Sequence, residues 1–359
     1  MANEQMPLAD MIDRQIRETG PMSIATYMGL ALTHPRAGYY TGADPLGAKG
    51  DFVTAPEISQ MFGELIGFFL VNLWQQLDEP RSFTLLELGP GRGTLMQDAL
   101  RVAAKAEGFL DACHLQLFET NPALKAQQAE RLAPYNPYWA SEIDTVADDP
   151  LIVVANEFFD ALPVRQFVKA ADGWHERQVG LRDGTRTFGL SPTPIAGDAM
   201  PEAVRNAEPG EVYEVNLAAA DALQRLGKRI AGQRGAILAV DYGYDATQTG
   251  ETLQAVRKHG FADVLAAPGE VDLSAHVDFG ALARVAADLG LKVAPLATQR
   301  DFLGRLGVVE RASALAKANP GQVDAITAAL RRLTDSSEMG TLFKVFCASA
   351  EELEPIGFA

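Results

Sequence analysis

A glycine-rich turn with an acidic neighbour is the first feature of this sequence that could do chemistry. In the segment ELGPGRGT, Glu87 ends an apolar run and Gly89, Gly91 and Gly93 follow at alternate positions. Glycines let the backbone approach a ligand closely, since no Cβ stands in the way. A second acid, Glu119, ends the next apolar run. Carboxylates at such positions favour a ligand that carries positive charge.

Two other glycine motifs fit this turn less well. A phosphate-binding P-loop requires G-x-x-x-x-G-K-[ST], and no lysine follows these glycines. A dinucleotide fingerprint requires its third glycine at position 94, where this chain has Thr94. The pyrophosphate of a dinucleotide is anionic, so Glu87 would repel it. The turn therefore favours S-adenosylmethionine, which carries an amine and a sulfonium and leaves S-adenosylhomocysteine as product.

The expected contacts of this cofactor follow from the ends of the apolar runs. Glu87 is expected at the amine and Glu119 at the ribose hydroxyls. A glycine turn between a strand and a helix is also common without any ligand, but two acids at successive run ends favour the ligand. The predicted cofactor-binding residues are Glu87, Gly89, Gly91, Gly93, Thr94, Glu119, Ser141 and Glu142 near the adenine, and Asn156.

The elements that must position these residues are predicted from the pattern of apolar runs. Uniformly apolar short runs indicate strands covered on both faces of a parallel sheet. Their alternation with helical stretches indicates right-handed βαβ units, and hence an α/β, Rossmann-like fold. Predicted strands are 83–88, 114–119, 138–141, 151–157, 235–243 and 341–349. Predicted helices include 57–77, 94–106, 122–132 and 276–290.

The remaining segments lie outside this α/β pattern. Residues 6–33 predict one or two helices with a break at ETGPMS, and 164–209 predicts an insertion of small antiparallel strands that turn at ADGW and RDGT. The predicted organisation is a helical N-terminal extension and lid at 1–80, a cofactor-binding core at 81–163 and 210–359, and a substrate-binding insertion at 164–209.

Several motifs in order resemble the MidA-like family of S-adenosylmethionine-dependent methyltransferases. They are GYY, GDFVTAPEISQMFGEL, ELGPGRGTLMQDALR, NEFFDALPV, VDYGY and HVDF, and the resemblance covers nearly the whole chain. It implies a class I methyltransferase fold with a seven-stranded, mostly parallel sheet whose final strand is antiparallel. It also implies symmetric dimethylation of an arginine in a respiratory complex I subunit. The mitochondrial matrix is the location implied for eukaryotic relatives.

Glu157 and Asp160, in the turn after the predicted strand 151–157, are the predicted catalytic residues. A guanidinium is a poor nucleophile, because its lone pairs are delocalised and it stays protonated, with a pKa above ~12. Carboxylates can orient one of its nitrogens and receive the departing proton. A helix cap explains Asp160 equally well. Phe158 and Phe159 are expected to form a wall for substrate or adenine, or else to be core.

Polar residues in two further segments are candidates for lid or substrate contacts. Residues 50–59 precede the core and are expected to close over the cofactor. Helix caps explain Glu57 and Ser59 at least as well. A helix cap also explains His276 and Asp278 better than proton transfer does. The predicted lid or substrate residues are Asp51, Thr54, Glu57, Ser59, Asp241 and Tyr242, of which Tyr242 is alternatively core.

Composition excludes several function classes. The chain has 359 residues and a formal net charge of −16, which repels nucleic-acid phosphates and favours a cationic partner. Its most apolar helical segment, LIGFFLVNLW, is shorter than the ~20 residues of a membrane span. Two cysteines stand apart and five histidines lack paired spacing, so no metal site is predicted. No secretion or transit signal is recognised, and a cytoplasmic location is expected.

Two other functions remain as alternatives to protein-arginine methylation. The first is methylation of a small molecule, since the fold does not determine the acceptor. The second is a non-catalytic assembly factor that binds S-adenosylmethionine. Formation of a homodimer is left open.

Overall fold

The computed structural model describes residues 6–42, 54–257 and 260–358, so the predicted lid residue Asp51 lies outside the described residues. The helices are α1 Leu8–Thr19, α2 Ile24–Thr33, α3 Ala55–Ile58, α4 Gln60–Gln76, α5 Thr94–Ala103, α6 Phe109–Ala112, α7 Pro122–Arg131, α8 Leu217–Gln233, α9 Phe279–Asp288, α10 Gln299–Arg305, α11 Val308–Ala318, α12 Val323–Thr334 and α13 Met339–Leu342. The strands are β1 Met22–Ser23, β2 Phe83–Leu88, β3 Cys113–Phe118, β4 Tyr138–Trp139, β5 Leu151–Asn156, β6 Arg165–Ala170, β7 Gly173–Arg182, β8 Thr185–Leu190, β9 Val212–Val215, β10 Gly235–Tyr244, β11 Gln254–Arg257, β12 Gly260–Ala262, β13 Asp272–Ser274, β14 Val277–Asp278, β15 Lys292–Val293, β16 Ala297–Thr298 and β17 Phe343–Ser349.

The chain divides into two compact units. The first contains the described residues of Met1–Phe52, Asp160–Ala220 and Tyr244–Ala281. The second contains those of Val53–Phe159, Asp221–Gly243 and Leu282–Ala359. The sequence-based segments divide the chain by expected role instead, and those roles remain predictions.

The second unit is built on a mixed sheet with the strand order β15-β17-β10-β5-β2-β3-β4. The neighbouring pairs β10–β5, β5–β2, β2–β3 and β3–β4 are parallel. Strand β17 pairs antiparallel with β10, and the short strands β15 and β16 pair antiparallel with β17. The predicted α/β fold with a central sheet is confirmed. The seven-stranded form is not, because short antiparallel strands extend the sheet beyond β17.

The parallel strands place the candidate site at one edge of this sheet. Every residue of β2 is buried, as the uniformly apolar run predicts for a strand covered on both faces. Because parallel strands share a direction, the carboxyl ends of β2, β3, β5 and β10 lie at the same edge. Glu87, Glu119 and Glu157 lie at or just beyond those ends, whereas Asp241 lies within β10, three residues before its end.

Two helices pack unusually closely behind the glycine turn. A Cβ added at Gly67 of α4 would lie 2.3 Å from the carbonyl oxygen of Ala99 in α5. Glu64, only 3% exposed, forms ion pairs with Arg101 of α5 at 2.9 Å and Arg311 of α11 at 2.5 Å. Close packing and ion pairing therefore fix α5, the helix that follows the turn.

The predicted helix 57–77 is interrupted at Ser59. This residue is extended and caps α4, since its Oγ accepts the Met61 N–H at 3.2 Å. The alternative explanation of Ser59 as a cap is thus confirmed. The segment before it forms the separate short helix α3.

The first unit combines α1 and α2 with an antiparallel sheet in the order β1-β7-β6-β9, with β8 beside β7. The break between α1 and α2 and the small strands of the insertion are both confirmed. Asp183 and Gly184 have φ values of 52° and 79° in the predicted RDGT turn, which suits a tight hairpin. Among the described helices, none combines the length and apolarity needed to span a bilayer.

Candidate functional site

The glycine turn requires glycine for its backbone conformation. Gly89, Gly91 and Gly93 have φ values of 61°, 54° and 77°, in the left-handed region that other residues seldom adopt. Space is also short, because a Cβ at Gly89 would lie 3.2 Å from the ring of Phe158. Helix α5 begins directly after the turn, at Thr94. The predicted strand–turn–helix arrangement is therefore present.

Glu87 is a buried carboxyl group with an unsatisfied oxygen. It is 2% exposed, and its Oε2 has no hydrogen-bond partner among the described residues. Burial, together with the nearby charge of Glu119, raises the pKa of Glu87 to about 8. An ionised carboxylate is costly in such a place unless a cation or hydrogen-bond donor accompanies it. The geometry fits a ligand that brings positive charge.

Glu119 is held in a defined orientation beside this group. Its Oε1 accepts the backbone N–H groups of Thr120 at 2.7 Å and Asn121 at 2.8 Å. Its Oε2 accepts Nε2 of Gln128 at 3.2 Å. Burial raises the pKa of Glu119, while these hydrogen bonds act in the opposite direction. The two carboxyl groups predicted from the ends of successive strands are close enough for the charge of Glu119 to raise the pKa of Glu87.

Gln128 of α7 belongs to the site and was not found from the sequence. It is completely buried, and its Nε2 also donates to the carbonyl of Gly91 at 2.6 Å. Its Oε1 accepts Nε1 of Trp139 at 2.8 Å. Gln128 thus joins the glycine turn, Glu119 and β4. The available signal was a polar residue four positions after Leu124, on the buried face of the helix.

Thr94, at the end of the glycine turn, is hydrogen-bonded to a residue of helix α3. Its hydroxyl lies 2.5 Å from Oε1 of Glu57 and also contacts Nη1 of Arg131. Since arginine only donates, the hydroxyl accepts from Arg131 and donates to Glu57. Glu57 is exposed in the first turn of α3, and Thr54 is the partly exposed residue that precedes this helix.

Glu157 follows β5 in a conformation that is rare outside glycine. Its φ is +51°, and its N–H donates to the carbonyl of Val240 at 2.9 Å. Its Oε1 accepts the N–H of Ala55 at 3.3 Å and Nδ2 of Asn156 at 3.2 Å. Such left-handed residues cost about 1–3 kcal/mol and concentrate at functional sites. Glu157 is therefore the strongest catalytic candidate in the second unit.

Asp160 belongs to the first unit and does not cap a helix. Residues 160–161 form a turn, so the capping alternative for this residue is wrong. Its side chain is 7% exposed, and its carbonyl accepts the N–H of Ala275 at 3.0 Å. A pairing of Asp160 with Glu157 remains a prediction.

The two phenylalanines after Glu157 have different environments. Phe159 is 1% exposed, which favours its alternative role as core. Phe158 is partly exposed, packs edge-on against Phe118 with ring centroids 6.5 Å apart, and covers Gly89. Phe158 is the better candidate for a wall beside the glycine turn.

Asp241 and Tyr242 are interior residues of β10. Asp241 is fully buried, and its carboxylate accepts the N–H groups of Phe159 at 3.0 Å and Tyr242 at 3.1 Å. Tyr242 is 3% exposed and packs edge-on against Phe343. These placements favour structural roles over contact with a substrate.

The least specific cofactor assignments lie after β4. Ser141 and Glu142 are both exposed, and Glu142 forms an ion pair with Arg225 at 2.9 Å. This ion pair joins the loop after β4 to α8. The predicted place of Glu142 near the adenine stays a prediction. Asp278 caps α9 through the N–H of Ala281 at 2.8 Å, as expected. Within the described ranges, no cluster of three or more His, Cys, Asp or Glu could hold a metal ion.

Comparison with known proteins adds independent evidence. A family model of S-adenosyl-L-methionine-dependent methyltransferases matches residues 65–296. The chain is 37% identical to "Protein arginine methyltransferase NDUFAF7, mitochondrial" of Danio rerio, covering 92% of this chain and 84% of that protein. The human protein of the same name is 35% identical, covering 96% of this chain and 83% of the relative.

Solved structures show the same overall fold. A protein from Burkholderia thailandensis, described as a candidate methyl transferase and bound to S-adenosyl-homocysteine, is 27% identical with a TM-score of 0.85. The match covers 98% of this chain and 93% of that one. A second, uncharacterised Burkholderia thailandensis structure is 28% identical with a TM-score of 0.82, covering 98% of this chain and 94% of that one.

Proposed function

The chain belongs to the family of S-adenosyl-L-methionine-dependent methyltransferases, and from that membership we propose that it methylates an arginine side chain in a protein. Relatives named protein arginine methyltransferases support the acceptor. The MidA-like resemblance supports a complex I subunit as substrate and symmetric dimethylation as product. The acidic charge of −16 suits a basic protein segment.

Oε2 of Glu87 has no hydrogen-bond partner within the described part of the chain, and this observation supports the site of the donor most directly. In the proposed arrangement Glu87 pairs with the amine of the cofactor and Glu119 with its ribose hydroxyls. The backbone of the glycine turn allows the close approach that these contacts need. When bound, S-adenosylmethionine supplies an electrophilic methyl group on a sulfonium.

Glu157 is proposed to orient the acceptor. Hydrogen bonds from Ala55 and Asn156 fix its Oε1 at the carboxyl edge of the sheet. A carboxylate held in this way can pair with a guanidinium, direct one nitrogen toward the methyl group, and accept the departing proton. Positioning is the main requirement of such an in-line displacement. Asp160 is proposed as the second carboxylate, and Phe158 as a wall.

The proposal is tested with S-adenosylmethionine that carries a labelled methyl group. The protein is incubated with this donor and a lysate from a strain that lacks it, and hydrolysed protein bands are analysed for methylated arginine. Glu157→Gln should abolish labelling while leaving cofactor affinity nearly unchanged. Glu130→Gln, at an exposed acid with no predicted role in binding or catalysis, is the matched control and should retain activity.

Other outcomes would favour the alternatives. If the label appeared only in the small-molecule fraction, the methyl acceptor would be a small molecule and not a protein. Normal complex assembly in cells that carry Glu157→Gln would instead support a non-catalytic factor. The predicted cytoplasmic location is not supported by the relatives, which are named mitochondrial. That the protein forms a homodimer is a further hypothesis, which a measurement of its molecular mass in solution would test.

A further inference from the structure

A cavity of about 570 Å³ lies in the second unit, away from the glycine turn. Its lining includes Cys113 and His114 at the start of β3 and Tyr138 at the start of β4. Glu119 follows the opposite end of β3, and a six-residue strand spans roughly 20 Å. The cavity therefore lies at the amino-terminal edge of the sheet and is separate from the proposed cofactor site.

One wall of this cavity is ordered by a chain of side-chain hydrogen bonds. Ser82 Oγ donates to Oδ2 of Asp149 at 2.7 Å and lies 3.0 Å from Nε2 of His114. Because a hydroxyl carries one hydrogen, Ser82 must accept from the Nε2–H of His114. Asp149 is thus held in place as a lining carboxylate before any ligand arrives.

Two further groups of the lining are acceptors, beside the side chains of Tyr135, Tyr138 and Asn136, which can both accept and donate. Asp111 supplies a second, exposed carboxylate. Oε1 of Gln116 is buried and has no hydrogen-bond partner among the described residues. Among the described lining residues there is no lysine or arginine. The cavity consequently complements a ligand that brings hydrogen-bond donors and positive charge.

The mouth of the cavity carries apolar surface that a small cation would leave uncovered. Leu110 is 36% exposed and Tyr138 is 59% exposed. Large exposed apolar side chains beside a pocket are typical of protein interaction sites, with aromatic residues prominent among them. This rim favours a peptide segment over a free amine as the occupant.

We propose that this cavity is a docking site for a protein segment that carries an arginine or lysine next to apolar residues. The basic side chain enters toward Asp149, Asp111 and Gln116, while its apolar neighbours cover Leu110 and Tyr138. This docking does not depend on arginine being the methyl acceptor, because the cavity is separate from Glu87 and Glu119.

Calorimetry on the full chain saturated with S-adenosylhomocysteine tests the proposal. The probes are acetyl-Leu-Arg-Leu-Arg-Leu-amide, its glutamate counterpart and butylguanidinium. The arginine peptide should bind, with each of Asp111→Asn and Asp149→Asn weakening binding about threefold to tenfold. The double variant Glu107→Gln/Glu130→Gln removes two exposed acids outside the cavity and should leave binding nearly unchanged.

Three results would overturn the proposal. If the glutamate peptide bound with the same affinity as the arginine peptide, the cavity would not recognise positive charge. Binding that is insensitive to Asp111→Asn and Asp149→Asn would place the peptide elsewhere, including at the acceptor site. Butylguanidinium binding as tightly as the peptide would make this a small-molecule site. Because Asp111 is exposed, Asp111→Asn should fold normally, and a loss of binding in this variant can be assigned to the cavity.

Discussion

Replacing Glu87 with Gln should stabilise the ligand-free protein at alkaline pH. The folded-state pKa of Glu87 is about 8, against an ordinary value of 4.5. An acid whose pKa is raised by folding costs nothing below about pH 4.5, and stability is then lost as the pH rises toward 8. At about 1.4 kcal/mol per pH unit, this interval sets an upper limit of about 5 kcal/mol. Gln mimics the protonated acid and avoids that loss.

Chemical unfolding at pH 5 and pH 8 measures the effect. The unaltered chain and Glu87→Gln should have similar free energies of unfolding at pH 5, whereas at pH 8 the variant should be more stable by several kcal/mol. The same variant should bind S-adenosylmethionine about tenfold to a hundredfold more weakly, because it loses a charge-assisted hydrogen bond worth about 1.5–3 kcal/mol. Glu130→Gln, at an exposed acid, is the control. If the stabilities of the unaltered chain and Glu87→Gln changed with pH in the same way, Glu87 would not have a raised pKa in the folded protein.

Three further substitutions test the surroundings of the site. Gln128→Leu removes all three hydrogen bonds of that side chain and should lower both cofactor affinity and the melting temperature, the latter by the equivalent of about 1–3 kcal/mol. Gly67→Ala puts a Cβ 2.3 Å from a carbonyl oxygen of α5 and should destabilise by about 1–3 kcal/mol in thermal unfolding. Gly232→Ala in α8, with no atom within 4 Å of the new Cβ, is its control and should stabilise by about 0.5–1 kcal/mol. Glu64→Ala removes a carboxylate that is only 3% exposed and is paired with Arg311. It should lower the free energy of unfolding, measured with denaturant, by about 3 kcal/mol.

Each substitution has a result that contradicts its reason. Unchanged cofactor affinity in Gln128→Leu would mean that Glu119 needs no such support. Equal stability of the Gly67→Ala and Gly232→Ala variants would mean that α4 and α5 can separate at no cost. An unaltered unfolding midpoint in Glu64→Ala would show that the ion pairs contribute nothing.

The fold was largely predictable because its strands are short apolar runs. Strand β2 matches its predicted bounds, β3 begins and ends one residue earlier than predicted, and β5 ends one residue earlier. The short strands β15 and β16 were missed, because two residues carry no periodic pattern. Helix 57–77 was predicted as continuous, since the pattern of apolar residues does not show that Ser59 adopts an extended backbone.

The parts of the site that could be predicted are those in which the residue type and its position in the sequence determine its role. Three glycines at alternate positions permit the positive φ values that this turn adopts, and acids at the ends of neighbouring parallel strands lie at the same edge of the sheet. Gln128 could not be identified because its role depends on two partners distant in sequence, Gly91 and Trp139. Asp241 was read as a channel residue because a strand-end acid has the same sequence signal whether it faces a ligand or ties down a loop.

Proton release on cofactor binding tests the central claim most directly. At pH 7 Glu87 is mostly protonated in the ligand-free protein, since its pKa is about 8. A cation bound beside it should lower that pKa and expel the proton. Calorimetric titration of S-adenosylmethionine in two buffers with different ionisation enthalpies should show close to one more proton released by the unaltered chain than by Glu87→Gln. Equal proton release at equal affinity would show that Glu87 does not receive the positive charge of the donor.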